Sequence, residues 1–185
     1  MATGDLTTLA NVKQWVNVTS STDDSLLTRL ITSVSNFIQT WLNRALSSAT
    51  YTETYDGPIG TRMLVANYPV TAIASLSIDG ATIPLSTDVT VAGYVLDTYG
   101  VILRGNYSFG NGRSNVEITY TAGYSVIPVE IEQAAIELVA LRYAERRRPG
   151  VSSQTIGGEA VAYRDVGMTD SISSLLIQYK KMVPI

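Results

Sequence analysis

Two stretches near the amino terminus repeat apolar residues at the spacing of an α-helix. From residue 22, TDDSLLTRLITSVSNFIQTWLNRAL places apolar residues three and four positions apart, which predicts a long amphipathic helix. Thr22 supplies a capping side chain, Asp23 and Asp24 supply carboxylates at the positive helix end, and the shorter LTTLANVKQWV precedes them. We therefore expect the chain to open as a helical hairpin.

The apolar period falls to about two between residues 50 and 125, as expected for strands. This region is rich in Thr, Tyr, Val and Ile, which suit a pleated sheet. Asp79-Gly80 and Asn111-Gly112 each lie between strand-like runs, and these residue types tolerate the positive φ angles of hairpin turns. The pattern predicts an antiparallel β-meander with a hairpin at both sites.

Helical spacing returns in IPVEIEQAAIELVALRYAERRRPG, which predicts a long third helix. Pro128 fits the first helical turn, and Pro149-Gly150 ends the pattern. The following VSSQTIGGEAVAYRDVG carries Gly and Ser and few apolar residues, so we expect an arm or loop over residues 150–168. SISSLLIQYKKM then predicts a short terminal helix.

The order of elements, without βαβ alternation, assigns the chain to the α+β class. We expect a single domain over residues 1–185. Its parts are a helical hairpin over 1–48, a β-rich insertion over 49–126, a helix over 127–149, and an arm with a terminal helix over 150–185.

Composition excludes most catalytic designs. The 185 residues include no His and no Cys, which removes Ser-His-Asp triads, Cys-His pairs and the usual zinc sites. No run of apolar residues approaches the ~18 of a membrane span, and no basic segment followed by an apolar run opens the chain. We predict a soluble, non-exported protein that is not an enzyme, needs no cofactor and does not contact membranes.

One cluster of positive charge stands out in a chain whose formal net charge is -3. The stretch ALRYAERRRPG holds Arg142, Arg146, Arg147 and Arg148. Cations complement the negative end of a helix, so the cluster has a structural explanation. It also fits the acidic surface of a partner protein, or a nucleic-acid backbone, although phosphate-binding surfaces usually carry more Lys and Arg among aromatic residues.

Other candidate sites have plain structural explanations. Asp23-Asp24 and Glu130-x-Glu132 pair carboxylates as a hydrolase would, but both pairs lie in first helical turns, where carboxylates complement the helix end. Gly105 and Gly110 have the spacing of a phosphate-binding loop without the Lys that this loop requires, which indicates a turn.

Taken in order, these segments resemble a known family. The long helix ends in W-x-N-R, and the third helix carries P-x-x-I-x-x-A followed by Y-x-x-R. The residues concerned are Trp41, Asn43, Arg44, Pro128, Ile131, Ala134, Tyr143 and Arg146. The chain is similar to the head-tail connector proteins of tailed bacteriophages, also called head completion or adaptor proteins.

The resemblance implies a non-enzymatic ring, commonly dodecameric, in the neck of the virion. Such a ring docks under the portal protein after DNA packaging, extends the DNA channel and presents a platform to stopper or tail proteins. DNA would pass through without sequence-specific binding. The protein would be made in the cytoplasm of a bacterial host.

We expect the contacts with partners or with neighbouring copies to involve the basic helix end and the last helix. These residues are Arg142, Arg146, Arg147, Arg148, Tyr179, Lys180 and Lys181. Residues 150–185 would supply the second of the two different patches that each copy needs in a ring. The alternative hypothesis is a DNA-binding module that uses the arginines from Arg142 to Arg148, with a steep salt dependence.

Overall fold

The computed structural model of the chain describes residues 4–146, 153–156, 159–162 and 168–181. The chain divides into two compact units. We call Met1–Arg44 with Ile127–Ile185 the helical unit, and Ala45–Val126 the β-unit.

The helical unit contains four described α-helices and one 3-10 turn. They are α1 Leu9–Trp15, α2 Asp24–Leu42, α3 Val129–Glu145, α4 Asp170–Leu176 and the 3-10 turn Ile177–Tyr179. Thr8 caps α1 by accepting a hydrogen bond from the Asn11 amide, and Thr169 caps α4 in the same way. The left-handed backbone of Asn43, with φ of 54°, ends α2.

Burial of α2 follows the spacing read from the sequence. Its buried apolar side chains recur three or four positions apart and pack against α1 and α3. These are Leu27, Ile31, Val34, Ile38 and Leu42. The amphipathic long helix is therefore confirmed.

Helix α3 is buried over more of its circumference than one stripe. Ala134 and Val139 are fully buried in addition to Ile131 and Leu138, because α3 contacts α1, α2 and α4. Pro128 lies at the N-cap rather than inside the first turn, with an extended ψ of 138°. The third helix is confirmed within these narrower bounds.

The β-unit contains seven strands. They are β1 Ala49–Tyr55, β2 Arg62–Leu64, β3 Val70–Ile78, β4 Ala81–Thr82, β5 Gly93–Asp97, β6 Gly100–Arg104 and β7 Val116–Ala122. One antiparallel sheet has the order β1-β7-β3-β4, and the other has the order β2-β6-β5. The mixed α+β class and the order of helices, strands and helix are confirmed.

Strand order within the β-unit differs from a simple meander. In a meander each strand pairs with the next, whereas here β7 lies between β1 and β3. The hairpin at Asp79-Gly80 is present, with positive φ at both residues and Ile78 paired with Ala81. The second predicted hairpin is wrong: Asn111 has positive φ, but it lies in the connection between β6 and β7, which belong to different sheets.

Both sheets bury side chains in one apolar cluster. Leu76, Ile118 and Tyr120 come from the four-stranded sheet and are fully buried. Val101 and Leu103 come from the three-stranded sheet. This shared cluster explains why two small sheets are stable together, since each buries one face against the other.

The expected arm over residues 150–168 contains paired strands in its described part. Strands β8, Ser153–Ile156, and β9, Glu159–Ala162, pair antiparallel, with Ile156 opposite Glu159. The expectation of an arm or loop did not include this pair of strands, and the role of the segment as an arm stays a prediction. The sequence carried a signal, because Gly157-Gly158 between two short runs is typical of a hairpin.

Candidate functional site

The basic end of α3 binds the carboxylate that precedes α2. Arg146 Nη2 lies 2.9 Å from Asp23 Oδ2, and the Tyr143 hydroxyl donates to the same oxygen at 2.5 Å. The Arg146 guanidinium also lies 4.1 Å from the centroid of the Tyr143 ring. Asp23 was expected to favour the start of α2, and it does lie at the N-cap, but its side chain makes no capping hydrogen bond. It holds the end of α3 instead.

This contact changes the electrostatics of the cluster. The hydrogen bond that Arg146 donates to Asp23 raises the pKa of Arg146 above its usual value, because the carboxylate favours the charged form of the guanidinium. The neighbouring carboxylate offsets that charge at the surface. The Arg146 side chain is 30% exposed, so a group other than Asp23 can still reach it.

Two other predicted contact residues cover adjacent aromatic rings of α2. The Arg142 guanidinium lies 5.1 Å from the centroid of Phe37, and Lys180 Nζ lies 4.3 Å from the centroid of Trp41. Phe37 and Trp41 are four residues apart, so they are neighbours on one helix face. Cation–π contacts of this kind stabilise by about 0.5–1 kcal/mol at exposed sites.

The end of the described chain is fixed to the helical unit near Trp41. The Tyr179 hydroxyl donates to Glu130 Oε2 at 3.2 Å, and the Lys181 backbone amide donates to the Leu42 carbonyl at 2.9 Å. Arg44 Nη1 donates to the Tyr179 carbonyl at 3.5 Å. Tyr179, Lys180 and Lys181 are therefore held by contacts within the chain, and their role in partner contacts stays a prediction.

The five predicted contact residues that the structure describes do not form one site. Asp23, which binds Arg146, and Trp41, which binds Lys180, are 18 residues apart on α2, or about 27 Å at the helical rise. Arg142 lies between these positions, on Phe37. Arg147 and Arg148 lie outside the described residues. Their role in partner contacts stays a prediction.

The outer face of the four-stranded sheet is lined with hydroxyl groups. Thr50 and Thr121 face each other with hydroxyl oxygens 3.4 Å apart, and the Thr52 and Thr119 oxygens are 3.1 Å apart. The register places the following residues on this face: Thr50, Thr52, Thr54, Ala72, Ser75, Ser77, Thr82, Glu117, Thr119 and Thr121. We call it the hydroxyl face. It has the polar character usual for the solvated side of an antiparallel sheet.

The outer face of the three-stranded sheet is different. Leu64 is 62% exposed, and Val95 and Ile102 are half-buried on the same side of the sheet. An ion pair joins the two outer strands, with Arg62 Nη2 2.6 Å from Asp97 Oδ2. We call this surface the apolar face, and define it as Arg62, Leu64, Val95, Asp97, Ile102 and Arg104.

Sequence reasoning missed the apolar face. The available signal was in β6, where Val101, Ile102 and Leu103 are apolar in succession. A strand with one solvated side should alternate, so three apolar residues in a row indicate that both sides are covered or that one side is a contact surface.

A carboxylate within the β-unit fixes the connection between the two sheets. Glu53 on β1 accepts hydrogen bonds from the hydroxyls of Tyr55 and Tyr120, and from Asn67 Nδ2 at 3.3 Å. The Tyr55 hydroxyl in turn accepts from the Ala66 amide at 2.7 Å. Burial, followed by the bond to Glu53, raises the pKa of both tyrosines above the usual 10.0. The network ties the loop between β2 and β3 to the four-stranded sheet.

The described residues offer neither a metal site nor a membrane-spanning helix. The part of the chain that the structure describes contains no group of three or more His, Cys, Asp or Glu placed to hold a metal ion. None of its helices is both long and apolar enough to cross a membrane. Among its buried side-chain nitrogen and oxygen atoms, each has a hydrogen-bond partner.

The fold and these surfaces define a mixed α+β protein whose candidate sites are contact surfaces. The family comparison identifies it further: the head completion protein model matches residues 5–182, and the chain belongs to that family. The resemblance read from the sequence is thereby confirmed. Family membership supports a structural, non-enzymatic role in joining head and tail. A comparison with curated proteins finds no match.

Solved structures share the fold. A chain in the neck of an empty gene transfer agent (GTA) particle, computed with C6 symmetry, is 18% identical, with 98% of this chain and 93% of that chain covered and a TM-score of 0.58. A chain in the neck of the native particle, computed with C12 symmetry, is 19% identical, with 96% and 90% covered and a TM-score of 0.57. A chain of the native GTA virion is 20% identical, with 100% and 94% covered and a TM-score of 0.58.

Proposed function

We propose that this chain forms a ring of identical copies at the head-tail junction of a phage or phage-like particle, where it joins the portal protein to the tail and extends the DNA channel. The observation that carries the proposal is the family match over residues 5–182. The likeness to chains from particle necks supports it, since that likeness spans nearly all of both chains.

The proposed ring has twelve copies. Twelve-fold symmetry contains six-fold symmetry, so necks computed with C6 and with C12 symmetry are both compatible with this number. In a cyclic ring each copy presents two different patches, one to each neighbour. The DNA would pass through the centre and contact the ring without sequence readout.

We further propose that the basic end of α3 and the terminal segment contact the portal or a stopper or tail protein. Arg146 keeps a partly exposed side chain beside Asp23, and charged residues at such rims set orientation and salt sensitivity. Arg147 and Arg148 would extend this surface. Tyr179, Lys180 and Lys181 would contribute at the other end of α2, and residues 150–185 would supply the arm that reaches a neighbour.

Native mass spectrometry tests the ring, with the protein alone over a concentration series and after production together with the portal protein of its own genome. We expect a twelve-copy species, and negative-stain images showing a central channel. A chain that stays monomeric in both preparations would contradict the proposed function.

The alternative, a DNA-binding module, has less support from the contacts. Asp23 offsets the charge of Arg146, and Arg142 is stacked on Phe37. A groove that tracks DNA needs several free cations, since each neutralised phosphate contributes to affinity. We expect weak binding of duplex DNA by fluorescence anisotropy at moderate salt. Tight binding with a steep salt slope, lost in Arg147→Glu/Arg148→Glu, would favour the alternative.

A further inference from the structure

The apolar face differs from an ordinary solvated sheet surface. Leu64, Val95 and Ile102 form its centre, and Gly100, between Leu64 and Asp97 in the register, adds no side chain. A side chain cannot be accommodated there, because a Cβ on Gly100 would lie 2.0 Å from the Met63 carbonyl oxygen. The centre of the face is therefore apolar and recessed at Gly100, where no side chain projects. The Arg62–Asp97 ion pair crosses it.

The apolar face carries two of the three basic residues of the β-unit, one of them paired with Asp97. The β-unit contains three basic residues, Arg62, Arg104 and Arg113, and more acidic ones. Arg62 and Arg104 both lie on the apolar face, and the Arg62 side chain is 59% exposed. The surface that fits this face is apolar and bordered by a carboxylate.

Exposed residues of that chemistry lie at the start of α3 and in the 3-10 turn that contacts it through Tyr179. At the start of α3, Val129 is 76% exposed and is followed by the exposed Glu130. Tyr179 donates to Glu130, and Ile177, in the same 3-10 turn as Tyr179, is 64% exposed. We call Val129, Glu130 and Ile177 the α3-start patch.

We propose that the apolar face of one copy binds the α3-start patch of the next copy, and that this contact closes the ring. The inference rests on the proposed function, because a ring requires two different patches that match each other. Leu64, Val95 and Ile102 would pack against Val129 and Ile177, and Arg62 or Arg104 would approach Glu130. Self-association of the apolar face alone would give a two-fold dimer instead.

The absence of cysteine from the chain makes a cross-linking test clean. The experiment uses the full-length Leu64→Cys/Val129→Cys variant, treated with a short bismaleimide and separated under denaturing conditions. We expect a ladder of covalent oligomers that ends at the copy number of the ring. Leu64→Cys alone and Val129→Cys alone should give no ladder, because each contact would then contain a single thiol.

A matched control uses another exposed valine of the β-unit. Val89 is 82% exposed and lies outside the apolar face, so Val89→Cys/Val129→Cys should give no ladder. In the same way, Leu64→Asp should abolish the ring in native mass spectrometry, whereas Val89→Asp should preserve it. Circular dichroism should show that both Asp variants are folded, since both side chains are exposed.

The outcomes separate the two proposals. Wild-type rings that persist in Leu64→Asp, without a ladder from the double-cysteine variant, would overturn this inference and leave the proposed function standing. Dimers from Leu64→Cys alone would also overturn it, because they show a two-fold contact. A wild-type chain without rings, alone or with the portal protein, contradicts the proposed function and this inference together.

Discussion

The hydroxyl face and the apolar face belong to sheets that share one buried cluster, yet they expose opposite chemistry to solvent. On the four-stranded sheet, Thr52 and Thr119 pair their hydroxyls across the strands. At the corresponding outward positions of the three-stranded sheet lie Leu64, Val95 and Ile102. The inner faces of both sheets follow from the need to fill a core, whereas the outer faces are free to differ.

This difference shows how a contact surface can be recognised from the chemistry of exposed sheet faces. A hydroxyl face remains hydrated at little cost, since each Thr or Ser can bond to water or to its neighbour. An apolar face keeps unfavourable contact with water until another surface covers it. The contrast within one unit supports the contact that we propose for the three-stranded sheet.

The largest effect is expected from removing a side chain on the inner side of β7. Ile118 is fully buried and Thr119, the next residue, points outward. We expect Ile118→Ala to lower the free energy of unfolding by about 3 kcal/mol, because it deletes buried methylene groups and leaves a cavity. Thr119→Ala should cost less than about 1 kcal/mol. Urea denaturation measures both, and equal losses would contradict the assignment of inner and outer faces.

The second prediction concerns the carboxylate that ties the loop between β2 and β3. Glu53→Ala leaves the hydroxyls of Tyr55 and Tyr120 without their acceptor, so we expect a loss of about 2 kcal/mol. Glu117→Ala is the control, since Glu117 is exposed on the hydroxyl face. Thermal denaturation should show a lower Tm for the first variant only. Similar Tm values for both would mean that the network does not hold the loop.

Alkaline pH should weaken the same network. The pKa of Tyr55 is raised above its ordinary 10.0 in the folded state, chiefly by burial and then by Glu53. A raised pKa means that the unfolded chain loses the proton first, so the stabilisation is complete below pH 10.0 and is lost as pH rises above it. The free energy of unfolding should fall less steeply above this pH in Tyr55→Phe. Parallel curves for wild type and variant would refute the linkage.

The smallest effect on stability is expected from a substitution on the hydroxyl face. Thr52→Val replaces a hydroxyl on the exposed face by a methyl group and keeps the β-branched shape. We expect the free energy of unfolding to change by less than about 0.5 kcal/mol. Ring formation in native mass spectrometry should be unchanged, because this face is not part of the proposed contact. Loss of rings in Thr52→Val would move the contact surface to the hydroxyl face.

Periodicity was enough to predict the helices and the class of the fold. The spacing of Leu27, Ile31 and Val34 gave α2 because burial on one side of a helix leaves a repeat in the sequence. Asp79-Gly80 gave a hairpin because both residues adopt positive φ. Strand order was not predictable in this way, since the pairing of β1 with β7 joins residues about 70 positions apart.

The candidate site was predicted less well than the fold. A run of arginines is visible in the sequence, but the partner of Arg146 is Asp23, 123 residues away, and no local pattern connects them. Asp23 was interpreted by its position before α2, which is a local argument. The apolar face lies on three strands whose register the sequence does not show. To predict a surface that is assembled from distant segments, the pairing of those segments must be known first.

The division of the helical unit into two sequence segments has a consequence for synthesis. Helix α2 leaves the ribosome before the whole β-unit. Its apolar side cannot be buried against α3 until α3, which follows Val126, has been translated. At 5–20 residues per second, translating residues 45–126 takes roughly 4–16 s. During that interval, of the described segments that pack on α2, only α1 and the residues around Asp5 and Leu6 have been made. The β-unit, by contrast, is continuous in sequence and can fold as soon as it has emerged. The nascent chain is thus most exposed to aggregation and to chaperone binding before its third helix is made.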